Sequence, residues 1–192
     1  MIESILTKRN VKTKTKITIK SIIAVGLVAL SVALPQLVHL VAGAQGGMTW
    51  LPMYLPVLIG GCLLGARWGL AIGICSPIIS FILTSISGSA MPTLERLPFM
   101  IFELAVFSLI SGAFSKKIAE NKWIAFPAVL FAQIGGRIAF FASVAISQNL
   151  VSFNFTTIWY QIQSGFIGVI IQALIVPLII IALSKFNRKN ND

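Results

Sequence analysis

IAFPAVLFAQIGGRIAFFASVAI, residues 124–146, is apolar for long enough to cross a bilayer, yet it carries Arg137 near its middle. A spanning helix needs about 20 predominantly apolar residues. A guanidinium is always charged, and placing it at mid-membrane costs on the order of 2.5–3.5 kcal/mol on insertion scales. Something must offset that cost. Glu103 lies inside another apolar run, LPFMIFELAVFSLISGAF, residues 97–114. An intramembrane charge marks a functional site by default, so the pair points to a polar site enclosed within a membrane.

The composition around these two runs fits that reading. Of 192 residues, 57% are hydrophobic and 10% charged, against about 25% charged in an ordinary soluble domain. The expected class is all-α: a polytopic membrane protein of one domain. Its parts are a basic segment 1–20, a membrane domain 21–185 and a tail 186–192. Six apolar segments follow one another: Ile22 to Leu40, Leu51 to Leu64, Trp68 to Ile86, Leu97 to Phe114, Trp123 to Ile146 and Ile158 to Leu183. The second is short for a span and opens with Pro52 and Pro56. It therefore reads as a broken or re-entrant element, which is tolerated where it faces protein or a water-lined cavity.

Charge distribution sets the expected orientation. With the N-terminus inside, thirteen of the fifteen Lys and Arg residues fall on cytoplasmic segments, and the outer loops hold only Arg96. That asymmetry predicts six spans with both termini cytoplasmic in the cell membrane. The net charge of +10 is topological on this reading. The stretch Lys8 to Lys20 lacks interleaved aromatics, so it suits anionic lipid headgroups rather than nucleic acid. A cleaved signal peptide is disfavoured, because the first apolar run exceeds the usual 7–15 residues of a signal core, an approximate bound.

Depth arithmetic gathers separate residues into a constellation. At about 1.5 Å per residue, Glu103 lies about 9 Å and Arg137 about 13 Å below the outer surface. Gln133 is one turn below Arg137 on the same helical face, and Gln172 lies about 21 Å along the sixth segment. Gln161, Gln163 and Ser164 occupy that segment's first turns. Two readings of Glu103 and Arg137 stay open: a structural ion pair, or a site where Arg137 receives an anionic group of a ligand in two-point contact. The glutamines suit ligand contact or interhelical hydrogen bonding equally. Trp50, Trp159 and Tyr160 sit at expected outer ends, where aromatic belts are common. The glycine-rich loop 42–50 also abuts the broken second segment, so Met48, Trp50, Met53 and Tyr54 can form an apolar lid over a flat ligand.

Other chemistries lack their residues. There is no G-x-x-x-x-G-K-[ST] loop and no H-E-x-x-H. No metal site or cofactor is expected, since Cys62 and Cys75 have no ligand partners at usable spacing and the one histidine, His39, reads as an interfacial or lid residue. The chain is not expected to be an enzyme.

The order of LLGARWGLAIGICSPIIS (residues 63–80), PFMIFELA (98–105) with Ser111-Gly112, and GGRI (135–138) within six short apolar segments resembles the substrate-binding S subunit of energy-coupling factor vitamin transporters. The resemblance spans about residues 20–185. It implies outward-facing capture of a vitamin-like ligand, docking onto a transmembrane coupling subunit driven by two cytoplasmic ATPases, and toppling to release the ligand inside. It places the ligand pocket among the first outer loop and helices four to six. It also carries the family's Ala-x-x-x-Ala docking motif onto Ala29 and Ala33. The substrate-binding candidates are therefore Arg137, Glu103, Gln133, Gln172, Trp50, Met53, Tyr54 and Trp159. The rival reading is a stand-alone secondary transporter that uses Glu103 for ion or proton coupling, although no inverted repeat is evident.

Overall fold

The computed structural model describes residues 12–86, 88, 91–147 and 155–189. Within them every regular element is helical. In chain order these are α1 (Thr13–Trp50), α2 (Tyr54–Leu64), α3 (Ala66–Ile86), α4 (Leu97–Ala113), α5 (Ser115–Glu120), a 3-10 turn (Lys122–Ile124), α6 (Ala125–Ile146) and α7 (Phe155–Lys189). Each apolar segment of the sequence forms a helix over most of its length; the second starts late, at Tyr54, because residues 51–53 form the turn that leads into it. The first and last helices run further than their apolar cores, because the backbone ladder continues through the basic ends.

Four stretches are long and apolar enough to cross a membrane: Thr13–Gly43, Ala66–Ile86, Lys122–Ile146 and Gln163–Ser184. The other two apolar helices, α2 and α4, are shorter. At about 1.5 Å per residue α2 is roughly 16 Å long, about half a hydrocarbon core. It has no wet or lipid-facing side to speak of. Ten of its residues, from Tyr54 to Leu64 with Leu55 excepted, are buried, as expected for a helix that is apolar all round. The bundle is built around it.

Polar side chains are drawn into the interior beside the apolar core, and large apolar side chains face outward. Ser76, Ser80, Thr84, Glu103, Ser108, Ser111, Gln133 and Gln172 are buried, while Phe131, Ile134 and Ile138 on α6 and Ile170, Leu174 and Leu178 on α7 are exposed. Close approach comes from small residues at the α2, α3 and α4 contacts. A Cβ on Gly69 would sit 2.8 Å from the Cα of Gly61, and one on Gly73 would sit 2.6 Å from the carbonyl oxygen of Leu104. Without a hydrophobic drive between helices in lipid, such backbone proximity is what supplies packing attraction.

One reversal shapes the upper end of the bundle. Gly43 leaves the helical conformation (φ 65°, ψ −169°) inside α1. A Cβ on Gly47 would lie 2.7 Å from Nε2 of His39. Eight residues of straight helix would separate those positions by about 12 Å. The short helical piece after Gly43 therefore folds back over the end of α1.

Connections are short, so successive long helices run antiparallel. Lys14, Lys16 and Lys20 begin α1, Arg67 begins α3, and Lys116, Lys117 and Lys122 surround the α5 turn. These positions share one end of the bundle. The reversal at Gly43 and the loop before α4 lie at the other. Lys8 and Arg9 are outside the described residues.

Candidate functional site

Two adjacent glycines bring the charges together. Gly135 faces Ile110 and Gly136 faces the ring of Phe107, where an added Cβ would come within 2.3 Å and 3.1 Å respectively. With no side chain at either position, α6 closes onto α4. Residues one turn apart then meet in antiparallel order: Phe99 lies edge-on to Phe140 at 6.5 Å, and Glu103 lies beside Arg137. Nη1 of Arg137 is 3.0 Å from Oε1 of Glu103. The contact is an ion pair rather than an aligned hydrogen bond, and Oε1 accepts no hydrogen bond.

Tyr54, the first residue of α2, completes the floor. Its hydroxyl donates to Oε2 of Glu103 at 2.7 Å. Its ring lies 5.4 Å from the guanidinium carbon of Arg137 and 5.2 Å from the ring of Phe107. Both carboxylate oxygens are thus engaged, one by charge and one by a hydroxyl. Glu103 is 1% exposed and the Arg137 side chain 17%. Nη2 of Arg137 is buried and has no hydrogen-bond partner.

Above this floor is a cavity of about 290 Å³, at the end of the bundle opposite the basic residues. Its walls come from the second half of α1 (Pro35, His39), the folded-back piece and its exit (Gly47, Leu51, Pro52, Met53, Tyr54), Ser80 of α3, the loop before α4 (Met91, Pro92, Thr93, Arg96), Met100 and Glu103 of α4, and Arg137 and Phe140 of α6. The loop is held in place by hydroxyls. Ser80 donates to the carbonyl of Met91 at 2.9 Å, and the Met91 N–H donates to Oγ1 of Thr84 at 2.7 Å. Burial pulls the Arg96 guanidinium below its ordinary range while the Glu95 carboxylate pushes it back up; it stays charged at neutral pH.

The residues singled out from sequence divide into two groups. Arg137, Glu103, Met53 and Tyr54 all line the cavity. Gln133, Gln172, Trp50 and Trp159 do not. Gln133 donates to the carbonyl of Val169 at 3.0 Å, tying α6 to α7. Trp50 and Trp159 are about half exposed, at 50% and 57%. The side chains of Met48, Tyr160 and Gln161 are outside the described residues, and Gln163 is exposed. Among the described residues, none of the lining comes from α7, the sixth apolar segment, whereas α1 and α3 contribute. His39, read as interfacial or lid from sequence, is a wall residue. Arg96, Ser80 and Phe140 were missed. Depth arithmetic would have flagged the last two, which lie in the outer halves of their segments.

Gln172 has a different duty. Its amide nitrogen donates to the carbonyls of Leu51 at 2.8 Å and Trp50 at 3.1 Å, groups that the end of a helix leaves without partners. Leu51 adopts the left-handed conformation (φ 48°), which a bulky residue occupies only when its surroundings enforce it. Gly168 permits the approach, since a Cβ there would meet the Thr49 carbonyl oxygen at 2.4 Å. Together they clamp the folded-back piece to α7. Replacing Gln172 by Leu is expected to loosen residues 47–54 by about 1–3 kcal/mol, read as faster amide exchange there in detergent. Unchanged exchange would remove the clamp from the account.

Among the described residues no group of three or more His, Cys, Asp or Glu side chains is gathered around a metal position. Cys62 is buried and Cys75 exposed. No family model, characterised protein or solved structure matches the chain.

Proposed function

We propose that this chain is the substrate-binding subunit of an energy-coupling factor importer, which captures a small vitamin-like nutrient outside the cell and hands it inward. The observation that carries the reading is the cavity of about 290 Å³ with a paired charge at its floor, set at the end opposite the basic residues. Small-molecule sites are concave and mostly apolar, with a few converging polar groups, and this cavity has that make-up. On the positive-inside rule its mouth opens outward. The chain then crosses the membrane six times with both termini cytoplasmic, and α2 makes its short passage shielded by its neighbours.

The energy source lies in partners, because the sequence has no phosphate-binding loop of its own. Docking falls to α1. Ala29 and Ala33 are exposed on it, next to the exposed Ile22 and Val25, and small residues allow a second helix to come close. Replacing both alanines by Trp is expected to spare ligand binding and abolish uptake in cells. Undiminished uptake would remove α1 as the docking face.

The test of the function is native mass spectrometry of the purified protein, first for a molecule retained from the host and then with a vitamin panel. Tight binding of one vitamin, together with co-purification of a coupling subunit and its ATPases, is the expected result. Ligand movement in proteoliposomes under an ion gradient, without ATP, would replace this reading with the secondary carrier.

A further inference from the structure

Resting on the reading of the cavity as a ligand site, we infer that its ligand carries no net charge and presents a flat aromatic ring to a wall of methionine thioethers. Two independent observations carry this. The first is that the charges at the cavity are already matched. Nη1 of Arg137 is spent on Oε1 of Glu103, and Oε2 of Glu103 accepts from the Tyr54 hydroxyl. Oε1 of Glu103 and Nη2 of Arg137 are both sealed in, each with less than 1 Å² of accessible surface. Arg96, the other charged residue of the lining, has partners of its own, and the neighbouring Glu95 carboxylate acts on its guanidinium. Two cations thus stand against two anions. An ionic ligand would leave water without meeting an unmatched counter-charge, and burying a charge unpaired is expensive. An uncharged ligand avoids that cost.

The second observation is the chemistry of the walls. The chain has five methionines in 192 residues, and three of them, Met53, Met91 and Met100, line this one cavity. They come from three separate places: the turn into α2, the loop before α4, and α4 itself. Only the tertiary fold gathers them. Thioethers are polarisable and make favourable contacts with aromatic rings, often at the ring edge. Phe140 adds an aromatic wall, itself fixed edge-on against Phe99 at 6.5 Å. The hydrogen-bonding groups that remain in the lining, the hydroxyls of Ser80 and Thr93 and the imidazole of His39, suit the heteroatoms of an uncharged ring. Such a mixture of apolar walls and a few polar groups orients a ligand without an ion pair.

The experiment compares uncharged aromatic vitamins with their charged counterparts: nicotinamide with nicotinate, pyridoxine with pyridoxate, and riboflavin with its phosphate. Dissociation constants are measured by calorimetry on the full chain in detergent. Pantothenol and biotinamide, uncharged but not aromatic, and thiamine, a cation, complete the panel. The expected result is that one uncharged aromatic compound binds most tightly, and that its charged counterpart binds at least about 100-fold more weakly, because its charge is buried unpaired. A triple variant, Met53→Leu with Met91→Leu and Met100→Leu, keeps the volume of the walls and removes the sulfurs. It is expected to stay folded by thermal melting and to bind the same ring about tenfold more weakly, the sum of three thioether contacts.

Several outcomes overturn the inference. A charged counterpart that binds as tightly as its uncharged partner would do so, as would tightest binding of thiamine, pantothenol or biotinamide. Unchanged affinity in the folded triple variant, or binding of none of the three uncharged aromatic compounds, overturns it as well. The importer reading is judged separately, by co-purification with a coupling subunit. A protein that associates with that subunit but prefers a charged or non-aromatic vitamin keeps its function and loses this ligand class.

Discussion

Glu103→Ala is expected to destabilise the protein by about 3–5 kcal/mol, the loss typical when one member of a buried ion pair is removed and its partner stays behind. Arg137 then has no counter-charge among α2, α4 and α6. The Tyr54 hydroxyl, which donates to Glu103 at 2.7 Å, loses its acceptor as well. The origin of the effect is separable. If the penalty comes from the abandoned guanidinium, replacing both residues together, by Leu at 103 and Met at 137, should restore stability to near the starting value, as happens when buried pairs are exchanged for apolar residues of similar volume. Thermal melting in a fixed detergent compares the three proteins. A double variant as unstable as Glu103→Ala would mean that the shape of the pair, rather than its charge, holds α4 to α6.

Gly112→Val is the second large effect. A Cβ at Gly112 would come within 2.5 Å of the backbone nitrogen and Cα of Ala66, and within 2.8 Å of the carbonyl carbon of Gly65. These are backbone atoms at the tight turn between α2 and α3, where Gly65 itself has a φ of 90°. Nothing there can rotate aside as a side chain would. Overpacking usually costs about 1–3 kcal/mol when side chains can adjust, and a fixed backbone puts this case at or above the upper end. Gly26→Val is the control, because an added Cβ there meets nothing within 4 Å. The variant at 112 is expected to melt well below both the control and the parent. Equal melting points would show that α4 can move away from the turn without loss.

The outcome at 112 also reaches the cavity. Gly112 and Glu103 share α4, so a displaced helix carries Glu103 away from Arg137. Stability and the site are coupled through one rigid element.

How much of this was legible in the chain differs from residue to residue. The similar depths of Glu103 and Arg137 followed from helical rise alone, which is uniform, and the structure places the two 3.0 Å apart. The burial of the second segment followed from its length and its apolar faces. Gln172 could not be read the same way. Its depth is clear from sequence, but its partners are the carbonyls of residues 50 and 51, more than a hundred positions away. They face it only because the chain turns back at Gly43 and exits through a left-handed Leu51. From sequence Arg96 reads as an ordinary outer-loop charge, since nothing local shows that the loop before α4 folds over the cavity.

Composition, segment length and charge asymmetry were enough to determine an all-helical chain with an apolar exterior, and to set the height of each charged side chain along its helix. Those properties are local: hydropathy sums over one segment, and each residue advances the helix by a fixed rise. The tertiary structure alone decided which helix faces touch, that α1 and α3 line the cavity while Gln172 of α7 clamps the folded-back piece, and that Glu103 meets Arg137 and Tyr54 at its floor. Rotation about a helix axis and reversal at a glycine cost little locally. The sum of packing contacts across the bundle selects among them.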